Sequence, residues 1–145
     1  MKVIYLIGSL RNAEVPVMAN KLRDIGFEVF DDWHAASENA DDCWRDYSKG
    51  RGQTYKEALD SYAGIHIFEF DKHHLDRCDI AVMVMKAGKS GHLEAGYVIG
   101  QGKPCFYLME EGVERWDVML RFCKLNGGDV CSTEADLIEK LKAHV

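Results

Sequence analysis

The sequence predicts an α/β fold, a flavodoxin/Rossmann-like three-layer sandwich with a mostly parallel sheet of about five strands. Three observations predict it. Short apolar runs rich in β-branched residues end at glycine or polar turns, segments of helical spacing follow them, and most of the joining turns are brief. Strands alternating with helices in this way can bury both faces of a sheet only if the strands run parallel.

The first run, Val3 to Ile7, reads as a buried strand entering a turn at Gly8-Ser9. Residues 13–25 then place Val15, Met18, Ala19, Leu22 and Ile25 at helical spacing, closed by Gly26. A second strand is expected over Phe27 to Phe30. The polar stretch 31–52 carries Trp33, Trp44 and Tyr47 without an obvious period, and reads as a long pocket loop or lid. From Gln53 to about Cys78 the spacing of Tyr55, Ala58, Leu59, Tyr62 and Ile65 predicts one long helix, either unbroken or interrupted near Phe68 to Asp71.

Asp79 to Met85 is the clearest strand, with Asp79 as a strand-entry cap. The glycine-rich turn Ala87 to Gly91 leads into a helix from His92 to Gly100, and Gly102-Lys103-Pro104 opens a fourth strand from Cys105 to Met109. The remainder predicts a helix around Trp116 to Cys123, a short strand near Val130, and a closing helix from Thr133 to His144 capped by Ser132 or Thr133.

At 145 residues the chain fits one domain, 1–145, able to bury roughly two-thirds of its unfolded surface. The formal charge of −6 argues against a nucleic-acid polymer as partner, since phosphate-backbone affinity needs a net basic face. Five scattered cysteines with no C-x-x-C pair suggest neither a disulfide framework nor zinc, and read as reduced, mostly buried thiols. The apolar run at Val3 to Ile7 is too short for a secretory signal or a membrane span, so a cytoplasmic protein with no membrane partner is expected.

In an open parallel sheet, ligands bind beyond the carboxyl ends of the strands, beside the point where strand order reverses. That selects the turns at Gly8 to Asn12, Asp31 to His34, Lys86 to Glu94 and Met109 to Gly112. The third is the richest, because Gly88 and Gly91 bracket Lys89 and Ser90 before a helix, where backbone N–H groups favour an anion. Gly88 to Ser90 supplies only the tail of a phosphate-loop pattern, and Met83 stands where the upstream glycine belongs. Glu94 falls in the expected first turn of the helix, where a glutamate also serves simply to complement the dipole. His73, His74 and His92 lack metal-ligand spacing, so neither a metal nor a cofactor is expected.

The segment Ser90-Gly91-His92-Leu93-Glu94-Ala95-Gly96-Tyr97, with Gly102-Lys103-Pro104 behind it, resembles the S-G-T-x-x-E-x-G-Y…G-K-P signature of the nucleoside 2-deoxyribosyltransferases. That superfamily includes nucleoside 5′-monophosphate N-glycosidases. Ile4 to Ser9 is similar to its opening K-I-Y-L-A-G-P strand and turn, Asp71 to the aspartate of its N-D-L stretch, and Cys78-Asp79 with the following strand to its A-D-x-x-x-A segment. These matches fall in order over about residues 2–108.

The resemblance implies cleavage or transfer of an N-glycosidic bond, with Glu94 as nucleophile, Tyr5 orienting it and Asp71 protonating the leaving base. It also implies a small-molecule nucleoside or nucleotide as partner and a homodimer or larger homo-oligomer, with residues around Trp116 to Met119 reaching a neighbouring site. Substrate contacts are expected from Gly8, Ser9 and Arg11 after the first strand, from Trp33, and from Gly88, Lys89, Ser90 and Gly91. Among these, Arg11, Lys89 and Ser90 are placed to recognise a 5′-phosphate. The family's transferases carry an aspartate where Gly88 stands, and the Ser90-to-Glu94 spacing is one residue shorter than theirs. Two other readings remain open: a NAD glycohydrolase resembling TIR domains, and a nucleotide sensor that binds without turnover.

Overall fold

The computed structural model describes residues 1–109, 111–112 and 115–145. Five strands, β1 (Val3–Ile7), β2 (Glu28–Phe30), β3 (Ile80–Val84), β4 (Cys105–Leu108) and β5 (Asp129–Cys131), form one all-parallel sheet in the order β2-β1-β3-β4-β5. The chain steps outward from β1 to β2, then returns to the other side of β1 to lay down β3. Strand order therefore reverses at the β1–β3 pair, the place where an α/β sheet opens a crevice.

Alternation along the strands builds two cores. Ile4 and Leu6 of β1 pack with Ile80 and Val82 of β3 against Val15, Met18 and Leu22 of α1 (Glu14–Asp24) and Leu137 and Leu141 of α6 (Glu134–Lys142). Tyr5 and Ile7 point to the other face, with Ala81 and Met83, against Leu75 of α4 (Tyr62–Arg77) and Ala95, Val98 and Ile99 of α5 (Lys89–Gly100). Burying each such side chain contributes on the order of 1.5–3 kcal/mol, and this drives the three-layer assembly. Asp79 ties the two central strands at their entry: its carboxylate accepts from Val3 N at 2.8 Å, and its own N–H donates to Val3 O at 2.8 Å.

Three segments depart from expectation. Residues 31–52 are not a long loop: a 3₁₀ helix (Asp32–Ala36) is followed by α2 (Ala40–Gly50), which has Asp41 and Asp42 in its first turn and Lys49 in its last. Its apolar residues Ala40, Cys43, Trp44 and Tyr47 do recur at helical spacing, a pattern set among charged residues that the loop reading passes over, although only Ser48 of the helix is buried. The predicted long helix is two, α3 (Tyr55–Leu59) and α4, parted at Asp60-Ser61 rather than at Phe68 to Asp71. Thr54 and Glu57 form a capping box at the first, and Ser61 Oγ accepts from Gly64 N at 3.2 Å at the second. Gly64 permits the sharp corner, because a Cβ there would stand 2.5 Å from Ala58 O.

The helix expected around Trp116 to Cys123 is a 3₁₀ helix over Val118–Gly127, interrupted where Leu125 is extended and Asn126 is left-handed at φ 59°. Asn126 Nδ2 donates to Ile99 O and Lys103 O, which anchors the kink to the end of α5. The cap of α6 is Thr133, whose Oγ1 accepts from Asp136 N at 3.1 Å. Four of the five free cysteines are buried and Cys43 is exposed. Among the described residues no helix is long and apolar enough to cross a membrane.

Candidate active site

At the carboxyl end of β1, where strand order reverses, lies a cavity of about 860 Å³. That volume falls within the range of small-molecule sites. Its walls come from four directions. Tyr5, Ile7 and the Gly8 to Arg11 turn form the floor; Asp32, Trp33 and Ala36 with Ala40, Asp41 and Trp44 close one side; α4 supplies Gly64 to Asp71; α5 supplies Gly88, Ser90 and Glu94.

Glu94 enters this space because α5 begins earlier than expected. The helix starts at Lys89, with Gly88 as an N-cap that has no side-chain cap, so Glu94 sits in the second turn and not the first. The role of a first-turn dipole partner therefore does not apply to it. It follows Gly91 by three residues and precedes Val98 by four, on the face that packs against the sheet. Gly91 lets that face come close: a Cβ at this position would stand 2.9 Å from Ile7 Cγ2 and 3.0 Å from Ala87 Cβ. The glutamate is thereby delivered into a largely apolar wall.

Burial raises the Glu94 carboxyl to about 7, the nearby Asp71 adds to the rise, and a hydrogen bond from the Tyr5 phenol opposes it. Its Oε2 is buried without a hydrogen-bond partner. Tyr5 itself is 1% exposed and packs on Phe30 with ring centroids 5.2 Å apart. Desolvation, then the negative charges of Glu94 and Asp71, push its phenol far above the usual tyrosine range, so it stays a neutral donor. Asp71 extends the inward stripe of α4 one turn beyond Leu75 and is half-buried, which raises its carboxyl also. Two carboxyls with raised proton affinity and one fixed phenol thus meet on a cavity wall, an arrangement suited to acid–base and nucleophilic work.

Trp33 is held rigidly: its Nε1 donates to Leu6 O at 2.8 Å, and its ring lies beside Gly8. Arg11 lines the cavity and is exposed, while Ser9 Oγ accepts from Arg11 N at 3.1 Å. Of the residues expected to contact substrate, Lys89 and Gly91 are not on the lining: Lys89 is exposed, and Gly91 is buried on the sheet-facing side of α5. Tyr47, offered with Trp33 and Trp44 as an aromatic wall, is also absent; it is exposed, with Arg51 above its ring at 5.6 Å. The expected turn from Met109 to Gly112 includes Glu110, which lies outside the described residues.

His74 stacks on Phe30 at 3.7 Å and accepts from Arg77 Nε at 3.1 Å. Its burial, then Arg77, lowers its proton affinity. Among the described residues no group of three or more His, Cys, Asp or Glu side chains could hold a metal ion. Beyond the expected Tyr5 and Asp71 and the β1 residue Ile7, the lining residues that lie outside both the selected turns and the 31–52 pocket stretch are Leu59 and the α4 segment from Gly64 to Phe70. The capping serine at 61 was the available signal for the last of these, since it fixes where α4 begins.

No protein-family model matches the sequence, and no curated protein matches it. Solved structures do. A conserved protein from Enterococcus faecalis V583 superposes with a TM-score of 0.70 at 16% identity, over 100% of this chain and 99% of that one. A CMP N-glycosidase, BcmB, from Clostridium botulinum superposes with a TM-score of 0.58 at 14% identity, over 99% of this chain and 100% of that one. At these identities the likeness is one of fold, and it runs the full length of each chain.

Proposed function

We propose that this chain cleaves or transfers the N-glycosidic bond of a (deoxy)nucleoside or nucleoside 5′-monophosphate through a glycosyl ester on Glu94. The observation that carries the reading is the Glu94 carboxyl itself: desolvated, bonded by Tyr5, with one oxygen unpartnered, and electrostatically coupled to Asp71 in a cavity of small-molecule size. The fold shared with a CMP N-glycosidase supports it at the coarser level of glycosidase chemistry.

In this reading a Glu94 oxygen forms a bond to the anomeric carbon. The electron pair of the breaking C–N bond goes to the base, which takes its proton from Asp71. Water, or a second base, then attacks the same carbon while Asp71 receives the incoming proton, and Glu94 is released. Negative charge beside the sugar stabilises the oxocarbenium-like transition state. Tyr5, uncharged throughout, directs the carboxylate without competing for the cation.

The test is chromatography of free bases after incubation with ribo- and deoxyribonucleosides, their 5′-monophosphates and NAD, with and without a second base. Base release is the expected result, and exchange with the second base would identify transfer. Release of nicotinamide from NAD alone, or of nothing at all, would contradict the proposal. The pH profile is a sharper check. The working form has one proton shared by the Glu94–Asp71 pair, so kcat/KM should be bell-shaped, falling above about 7 as the last proton leaves the pair. Its acid limb should lie above the usual aspartate range, because burial raises Asp71. Asp71→Asn should remove the alkaline limb and slow substrates with poor leaving bases most.

A second copy of the chain is part of the proposal. Phe68 and Phe70 of α4, Leu93 of α5, and Trp116, Met119 and Phe122 around the second 3₁₀ helix are all about half exposed or more, with Trp116 at 92%. α5 packs beside both α4 and the second 3₁₀ helix, and exposed apolar side chains on adjoining elements support an association face. Light scattering behind a sizing column should give a dimer or larger species at micromolar concentration, and Leu93→Asp with Trp116→Asp should shift it to monomer. A monomeric wild type would contradict this part.

A further inference from the structure

The charge on the cavity wall bears on which substrates enter. Asp32, Asp41, Glu69, Asp71 and Glu94 all line it, against Arg11 as the sole lysine or arginine among the described lining residues. None of the five carboxyls is in an ion pair among the described residues. Lys89, the other cation of the α5 turn, is exposed and off the lining. Resting on the glycosidic reading of this site, we infer that the cavity selects against anionic substrates and takes uncharged or cationic nucleosides in preference to their 5′-monophosphates.

The magnitudes favour this. A 5′-phosphate monoester carries roughly −1.5 to −2 charges near neutral pH. The uncapped N-terminus of α5 offers it about half a positive charge and Arg11 one more. Arg11 is exposed, as are Asp32, Asp41 and Glu69, so water screens both signs alike and the three carboxylates outnumber the one guanidinium. Those three carboxylates line the same volume, and the Glu94–Asp71 pair, which holds one proton between its two members, adds one further negative charge. Like-charge juxtaposition of this kind rejects a ligand, whereas the same field attracts a sugar that becomes cationic as its bond to the base breaks. Trp33 and Trp44 on the wall add aromatic surface, which accepts a neutral or a positively charged base equally well.

Ligands that cannot turn over separate this inference from the catalytic one. Pseudouridine and formycin A are C-nucleosides, whose C–C glycosidic bond offers no leaving base, so calorimetric titration can compare each with its own 5′-monophosphate on the wild-type protein. At least one C-nucleoside should bind about tenfold or more tighter than its 5′-monophosphate, and the gap should narrow as salt is raised. Asp41→Asn with Glu69→Gln, both at exposed positions, should recover affinity for the monophosphate severalfold while changing affinity for the nucleoside much less.

Tighter binding of a monophosphate, or no binding of any of the four, would overturn the inference. In the base-release assay, preferential cleavage of 5′-monophosphates would overturn it while leaving the glycosidic reading standing. The expected binding order without base release from any substrate would uphold the charge selectivity and sink the enzyme.

Discussion

Glu94→Ala and Glu94→Gln are expected to lose base release by on the order of 10³-fold or more, with the fold and ligand binding retained. The loss should fall on kcat, because the glutamate forms a bond to the anomeric carbon that exists only after the substrate is bound. Tyr5→Phe should be milder, since it removes one hydrogen bond that orients the carboxylate but leaves the nucleophile in place. A site that only senses nucleotides would behave differently, binding ligand equally well in all three variants and releasing base in none. Circular dichroism with ligand titration, run beside the activity assay, separates these outcomes.

The same residue should also govern stability, in the opposite sense. The Glu94 carboxyl is raised from 4.5 to about 7 by burial, so it contributes favourably while protonated and costs stability once ionised. Below pH 4.5 it is protonated in folded and unfolded chains alike, and there is no penalty. Between pH 4.5 and about 7 the unfolded chain ionises while the folded one does not, and stability falls with rising pH. Above about 7 the penalty is constant, at roughly 3 kcal/mol.

Glutamine has no such penalty. Glu94→Gln should therefore match the wild type near pH 4 and exceed it by about 3 kcal/mol at pH 8, a rise in Tm on the order of 5–10 °C for a domain of this size. Thermal melts of both proteins across that pH range provide the check. A variant that is inactive yet more stable at alkaline pH identifies a group held in place for chemistry and not for folding. Equal stability at every pH would show that the carboxyl is well solvated.

The inner strands of the sheet, β1, β3 and β4, were legible in the sequence because they are buried on both faces. Val3 to Ile7 and Ile80 to Val84 are continuous β-branched or apolar runs, and Cys105 to Leu108 is a third. The helices that cover the sheet, α1, α5 and α6, were legible as well, through their apolar stripes and the glycine or threonine at their ends.

The cavity wall was harder to read, for a physical reason. α2 shows Trp44 and Ser48 to the interior instead of leucines, and the α4 segment beside the cavity leaves Ile65, Ile67 and Phe68 about half exposed. α2 keeps an apolar period, Ala40, Cys43, Trp44 and Tyr47, yet buries little of it, because a helix that lines an open space has no tight core behind it. The local signals that do mark this region are the capping box at Thr54 and Glu57 and the cap at Ser61, which act over three or four residues. The start of α5 was misplaced because Gly88 caps it without a side chain, and this moved Glu94 from the first turn to the second.

The most direct measurement is mass spectrometry of the protein quenched in acid during turnover of a 2′-deoxyribonucleoside, with proteolysis to locate any adduct. An increment equal to the deoxyribosyl group on the peptide that contains Glu94, absent from Glu94→Ala and discharged by water or by an added base, is the predicted result. A glycosyl group found on another residue, or rapid base release that survives Glu94→Ala, would contradict it.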